Sequence, residues 1–428
     1  MTILYILLAI IVLLVLITVH EFGHYTAGKL LKFKINEFSI GFGKAIFSKT
    51  NKKTGEKFSI RIFPLGGYCA FEGEDEDGKD NPNAFNNQKA WKRLIVLFSG
   101  VFFNFIFGIM SAIVFLLVSG YSLPKIKSFI PDASNPNSTV SVVDGKNYGF
   151  MVGDEIFEVN GKKVRIYGNA VIGLDTLDSL SKGLSVGQEV EITVIRDGKK
   201  QKVIVSKYAF EKEWYIENQS ELANIYYKET DNSILPVGTY DKFVELVSGN
   251  NNSYSNLFYT ESGKLLSGNG LKQALAKLSI THSPSGSIGF GITYSYSHKH
   301  FGFFNAIGES FVFCIKICWL ILTALGGLFV GKTKIKDMGG TITTISQVAK
   351  ISSYGLVEFL YLIPLLSMNL ALFNFLPIPA LDGARFMFVL IEIIFRKPVP
   401  RKIEAYIHTV GLFALLALVL FFDIYHLV

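Results

Sequence analysis

The sequence predicts a polytopic α-helical membrane protein of about four transmembrane helices, with a β-rich loop after the first and a strand-rich domain inserted after the second. Composition, the apolar runs and the placement of basic residues carry that reading. Of 428 residues, half are hydrophobic, 14% aromatic and only 18% charged, a mixture that fits membrane spans joined by polar segments. The +7 formal charge sits in loops flanking apolar runs, where the positive-inside rule places it. The expected partner of that charge is therefore the lipid bilayer, and nucleic acid is not expected. Cys69, Cys314 and Cys318 show neither disulfide nor CxxC spacing; Cys314 and Cys318 lie one helical turn apart in an apolar run and read as packing residues.

Ile3–Val19 contains only Thr18 as a non-apolar residue, enough for most of a crossing. It lacks the basic start and small-residue cleavage site of a signal peptide, so residues 1–24 read as a first span. Leu94–Val118 reads as the second. The connection 25–93 carries 13 Lys or Arg, which places it in the cytoplasm and the N-terminus outside. The segment after Ser119 then lies outside. Of the remaining apolar stretches, Phe311–Val330 contains Lys316, and its crossing would put the end of Leu356–Leu376 on the wrong face for the basic loop of Arg396, Lys397, Arg401 and Lys402. Residues 303–354 are therefore expected to form a surface or re-entrant helix and a connection. The third span falls in 355–383, and a cytoplasmic connection and fourth span in 384–428.

The inner end of the first span reads His20-Glu21-Phe22-Gly23-His24. Residues four apart share a helix face, so both imidazoles can reach one ion with Glu21 beside them. Neutral imidazole suits Zn²⁺, and a catalytic zinc keeps a position open for water; Glu21 is then a general base. Three ionisable groups at the end of an apolar helix are costly unless bound to something. A third ligand is required, and Asp382 is the best candidate. It follows Pro377 and Pro379, which break the third span near its end, and the loop charges put that end on the same side as His24.

The pairing of His20-Glu21-x-x-His24 with Asn374-x-x-Pro377…Leu381-Asp382-Gly383 resembles the site-2 protease family, closest to its bacterial, sigma-factor-regulating branch of intramembrane proteases. The resemblance implies His20, His24 and Asp382 as zinc ligands, Glu21 as catalytic base, and a multi-pass protein of the bacterial cell membrane. Its expected activity is hydrolysis of peptide bonds within or near the membrane segments of single-span proteins, such as an anti-sigma factor or remnant signal peptides. Ser39-Ile40-Gly41-Phe42-Gly43 is similar to the family's membrane-associated β-loop, and Pro64-Leu65-Gly66-Gly67-Tyr68 follows its pattern. Gly100-x-x-x-Asn104 matches a small-residue and Asn signature but has Val101 where Pro is usual. Lys334–Gly340 resembles the stretch before the third span, although Thr341 and its neighbours replace a usual Gly-Pro-Ile.

Two β-like segments, Phe38–Phe47 and Lys57–Phe71, are expected to form a sheet at the membrane whose edge takes an unwound substrate, since backbone hydrogen bonds position a scissile carbonyl regardless of most side chains. Gly41, Gly43, Gly66, Gly67, Asn104 and Asn374 are the candidate substrate-binding residues. For the two amides, buried in apolar spans, interhelical packing is the alternative. Outside, Phe150–Gly161 resembles the Gly-Asp…Val-Asn-Gly core of a PDZ domain. Glu191–Arg196 and Lys202–Ser206 read as a hairpin through Asp197-Gly198. A PDZ-like domain is thus expected over 125–207, to bind peptide ends or screen substrates, followed by an extension over 208–302 with a helical hint at 272–277. A membrane-anchored PDZ scaffold or a zinc transporter are the competing readings. The first leaves Glu21 without a purpose, and the second wants a polar path across the whole membrane.

Overall fold

The structure, a computed structural model, describes the chain apart from residues 1, 75–80, 130–141, 144–145, 148, 169–171, 186–187, 207, 210–213, 217, 230, 249–256, 279, 283–287, 291, 332–338 and 428. The resemblance seen at 334–338 lies outside the described residues. The chain divides into two units, Met1–Tyr121 with Lys299–Val428, and Ser122–His298.

The first unit is a helical bundle with a hairpin. Its helices are α1 (Thr2–Leu30), α2 (Ala90–Ser119), α3 (Phe303–Phe329), α4 (Thr341–Ser352), α5 (Leu356–Phe375), α6 (Asp382–Phe395) and α7 (Arg401–Leu427). Among the described residues five helices, α1, α2, α3, α5 and α7, are long and apolar enough to cross a membrane, and large apolar side chains such as Leu4, Ile11, Phe102, Trp319 and Phe413 face outward from them. Helices α1, α2, α3 and α7 begin or end beyond the apolar stretch that announced them, because flanking residues continue the backbone hydrogen bonds, whereas α5 stops at Phe375, just before Pro377. Helix α6 had been read as part of a plain connection.

Contacts along α2 give the helix directions. Phe98 meets Phe375 at 5.9 Å, the Asn104 carbonyl accepts from Ser367 Oγ at 2.7 Å, and Phe115 meets Tyr361 at 5.9 Å. Helix α5 is therefore antiparallel to α2. Helix α3 runs the same way as α5, since Phe313 meets Phe115 at 5.4 Å while Cys318, one turn later, meets Met368 at 3.9 Å. The stretch expected as a surface or re-entrant helix is a continuous 27-residue helix with Phe313, Cys314 and Ile317 fully buried. One apolar stripe seats it against α2 and α5, and that burial opposes a purely interfacial position.

The hairpin joins β1 (Ile35–Thr50) and β2 (Lys57–Phe71), both bent. Residues 35–40 pair with 67–71 on one side and with 57–60 on the other, and 57–60 pair again with 47–50. Two strands thus make four arms, with 67–71 as an edge. Gly41 has φ +86°, and a Cβ there would lie 2.7 Å from the Phe63 carbonyl, so the bend admits only glycine. Glu37 ties the arms together. It accepts from Ser59 Oγ, from Arg61 Nη2 at 2.8 Å and from Tyr68 OH at 2.9 Å.

The second unit is built on an eight-stranded sheet. Its main strands are β3 (Tyr121–Phe129), β4 (Glu155–Val159), β5 (Arg165–Tyr167), β6 (Ile172–Asp175), β7 (Glu189–Arg196), β8 (Lys199–Ser206) and β9 (Ile292–Lys299). The order is β8-β7-β4-β3-β5-β6, and β9 also pairs β3. The hairpin foreseen at Asp197-Gly198 is β7–β8, with both turn residues at positive φ (50° and 76°). The strand-rich module expected over 125–207 extends further, because β9 supplies both a strand and the core residue Ile292. The stretch before β9 has its own core of Ile216, Leu222, Phe243, Val247, Phe258 and Leu278, with helices Tyr240–Ser248 and Gly268–Leu278. The second helix contains the 272–277 hint. The three cysteines form no disulfide.

Candidate active site

His20 and His24 lie on one face of α1, buried to 5% and 7% exposure, their rings edge to face at 4.8 Å. The chain reaches them a second time through the break between α5 and α6. Pro377 and Pro379 deny the helix its next backbone donors, and Ala380 turns with φ +76°. The Ala380 N–H donates to His408 Nδ1 of α7 at 3.1 Å. The unwound segment is half-buried apart from the exposed Pro377. Asp382 then opens α6. Its Oδ2 lies 2.7 Å from His20 Nε2 and 3.1 Å from His24 Nε2, and the two Nε2 atoms are 3.2 Å apart.

This is a candidate metal centre; its three ligand atoms all lie within 4.8 Å of one another. The residues fit zinc. Two imidazole nitrogens and one carboxylate oxygen are donors that zinc takes, and their separations approach the roughly 3.3 Å edge of a tetrahedron with bonds of about 2.0–2.1 Å. Neutral imidazoles alone do not balance a carboxylate beside a second one, Glu21, so the cluster calls for a cation. The far ring nitrogens are held from α2, with His24 Nδ1 2.8 Å from the Val96 carbonyl and His20 Nδ1 3.3 Å from Asn104 Nδ2. Such outer partners set tautomer and ring orientation.

Glu21 projects from α1 between the imidazoles and the hairpin, interacting electrostatically with His20, His24 and Asp382. A Cβ on Gly67 would lie 3.5 Å from Glu21 Cγ, so the edge arm of β2 borders the cluster. Of the four candidate glycines, Gly67 is the one beside Glu21. Gly41, Gly43 and Gly66 sit where the strands bend around Phe42 and Phe63. Asn104 is completely buried and touches His20. Asn374 is half-buried near the end of α5 and makes no hydrogen bond among the described residues.

The sequence reading missed the close helix contact behind the imidazoles. A Cβ on Gly100 would lie 2.5 Å from His24 Nε2 and 2.7 Å from His20 Cε1, and one on Gly23 would strike the Ser99 carbonyl. The spacing Gly100-x-x-x-Asn104 was visible; its facing of the histidines was not. Beyond Asp382 a cavity of about 750 Å³ is bordered by Arg93, Arg385, Glu392, Glu404 and His408, so polar groups continue away from the cluster.

The profile of peptidase family M50 matches residues 8–418. The chain belongs to peptidase family M50. Among its relatives are a zinc metalloprotease by name of Fusobacterium nucleatum, 30% identical over 98% of this chain and 97% of the relative. A second of that designation, from Campylobacter jejuni, is 28% identical over 96% of this chain and 90% of the relative. The regulator of sigma E protease of Haemophilus influenzae is 24% identical over 96% of each. As an M50, site-2-type peptidase the chain is a zinc-dependent metalloendopeptidase acting within the membrane, which answers the scaffold and transporter alternatives.

Proposed function

We propose that His20, His24 and Asp382 are the zinc ligands of this peptidase and Glu21 its general base. One observation carries the reading: two parts of the chain more than 350 residues apart deliver two imidazoles and a carboxylate within 3.2 Å of each other, with Glu21 alongside. Zinc bound there supplies Lewis acidity toward a scissile carbonyl and its attacking water. Glu21 takes the proton from that water and passes it to the leaving amine. The outer contacts of the imidazoles at Val96 and Asn104 and the tight α1–α2 approach keep the donors preorganised.

The substrates in this reading are single-span membrane proteins, an anti-sigma factor or a remnant signal peptide among them. An unwound substrate segment adds to the 67–71 edge of the hairpin, whose exposed Phe42, Ile46, Phe47, Ile62 and Phe63 suit lipid contact, and Asn374 offers it an amide. The chain crosses the bacterial cell membrane four times with both ends outside, and α3 penetrates without a separate crossing. The shared direction of α3 and α5 supports this path, because consecutive simple crossings alternate. The strand-rich module is a PDZ-like domain on the outer side that screens substrates by bulk or holds a peptide end.

The test is Glu21→Gln in the full chain. Purified protein is expected to keep about one zinc while cleavage of a single-span helix falls by about 10²–10⁴, the usual contribution of a general base. Cleavage at the wild-type rate would remove Glu21 from the chemistry.

A further inference from the structure

Asn104 is fully buried and stands one turn beyond Gly100 on the α2 face that meets the histidines. Its backbone carbonyl is pinned by Ser367 Oγ of α5. Its side-chain nitrogen is 3.3 Å from His20 Nδ1, whereas its Oδ1 has no hydrogen-bond partner. A buried acceptor left unpaired is rare and calls for an explanation.

The tautomer of His20 supplies one. An amide nitrogen turned toward Nδ1 pairs with the tautomer whose ring proton is on Nε2, the nitrogen that faces Asp382 Oδ2 at 2.7 Å. A histidine that ligates a metal through Nε2 must carry its proton on Nδ1 and usually donates it to an oxygen. His24 already meets that requirement at the Val96 carbonyl. For His20, Asn104 Oδ1 is a side-chain oxygen in position among the described residues, reaching Nδ1 when the amide turns half a revolution; the two orientations occupy the same volume.

We propose that Asn104 is a positioning residue for the metal, an amide that turns to serve both tautomers of His20. Its Oδ1 accepts the Nδ1 proton when zinc occupies the site, and its nitrogen pairs with Nδ1 in the other tautomer. The proposal rests on His20 being a zinc ligand and assigns Asn104 to the metal rather than to substrate. An amide does both jobs, a carboxylate keeps the acceptor, and an isosteric hydrocarbon keeps neither.

The experiment measures zinc affinity of the full-length protein in detergent by chelator competition, alongside thermal unfolding of the zinc-free form. Asn104→Leu is expected to weaken zinc 10- to 100-fold, the usual range for loss of an outer partner, with zinc-free unfolding little changed. Asn104→Asp is expected to hold zinc within threefold of wild type. If Asn104→Leu binds zinc as wild type does while His20→Ala loses it, this proposal alone falls. If His20→Ala also keeps wild-type affinity, the ligand assignment falls with it. Should the leucine variant fail to fold, the aspartate variant decides: zinc loss in a folded Asn104→Asp protein overturns the acceptor role.

Discussion

Each unit of this molecule holds a carboxylate in its interior, Asp154 fully and Asp382 with 23% of its side chain exposed, and the two are balanced in different ways. Asp154 in the second unit is 1% exposed. It receives both a backbone N–H, from Met151 at 2.8 Å, and a two-pronged guanidinium, from Arg196 at 2.7 and 2.8 Å. Asp382 has two imidazoles and a neighbouring carboxylate, Glu21, instead. Asp154 carries its own counter-ion and is structural. Asp382 has no guanidinium or ammonium at its oxygens among the described residues, which fits the cation proposed for it. Burial alone therefore does not mark a site; burial without a covalently supplied opposite charge does.

That contrast can be broken from either side. The largest effect belongs to Asp382→Ala, expected to weaken zinc by more than the 10- to 100-fold typical of losing an outer partner and to abolish cleavage. Zinc content after dialysis measures it, and a stoichiometric ion would refute the ligand role. Next comes Gly100→Ala, whose methyl meets both imidazoles. Zinc affinity should fall 10- to 100-fold, as it does when ligand orientation is disturbed, with α2 still helical by circular dichroism.

In the second unit, Arg196→Met leaves Asp154 uncompensated. A cost of about 3–5 kcal/mol is expected, read as lost hydrogen-exchange protection in β4 and β7, while zinc affinity stays unchanged. A parallel loss of zinc would erase the distinction between the carboxylates. The smallest effect concerns Glu37. Burial pushes its carboxyl up, but the hydrogen bonds from Ser59, Arg61 and Tyr68 outweigh that and hold it at about 2. A depressed carboxyl contributes stability in full above its unfolded value near 4.3 and loses it as pH falls through the folded one. Between pH 5 and 9 the stability difference between wild type and Glu37→Gln should thus be flat. A slope in that window, by thermal scans, would contradict the assigned network.

How much was legible follows the same physics. The two histidines and Glu21 were readable because helical spacing alone puts them together. Asp382 was readable because two prolines announce a broken helix and loop charges give its side of the membrane. Helix α6 was hidden, since the residues after Asp382 look like any amphipathic connection until α2 packs on them through Phe98 and Arg93. The closing strand β9 was hidden because a segment with its own core intervenes, and no local pattern reports a partner nearly 170 residues away. The 67–71 edge of the hairpin was legible as a strand, but its adjacency to Glu21 depends on bends around Phe42 and Phe63.

The contact of Gly23 with the Ser99 carbonyl, and of Gly100 with the imidazoles, has a mechanical consequence. With no clearance between them, α1 and α2 move as a single strut, because any sliding would drive backbone into backbone. Whatever widens to admit a substrate must therefore be hinged elsewhere, on the hairpin or on the broken turn at Ala380, and the first two helices serve as the fixed jaw against which it closes.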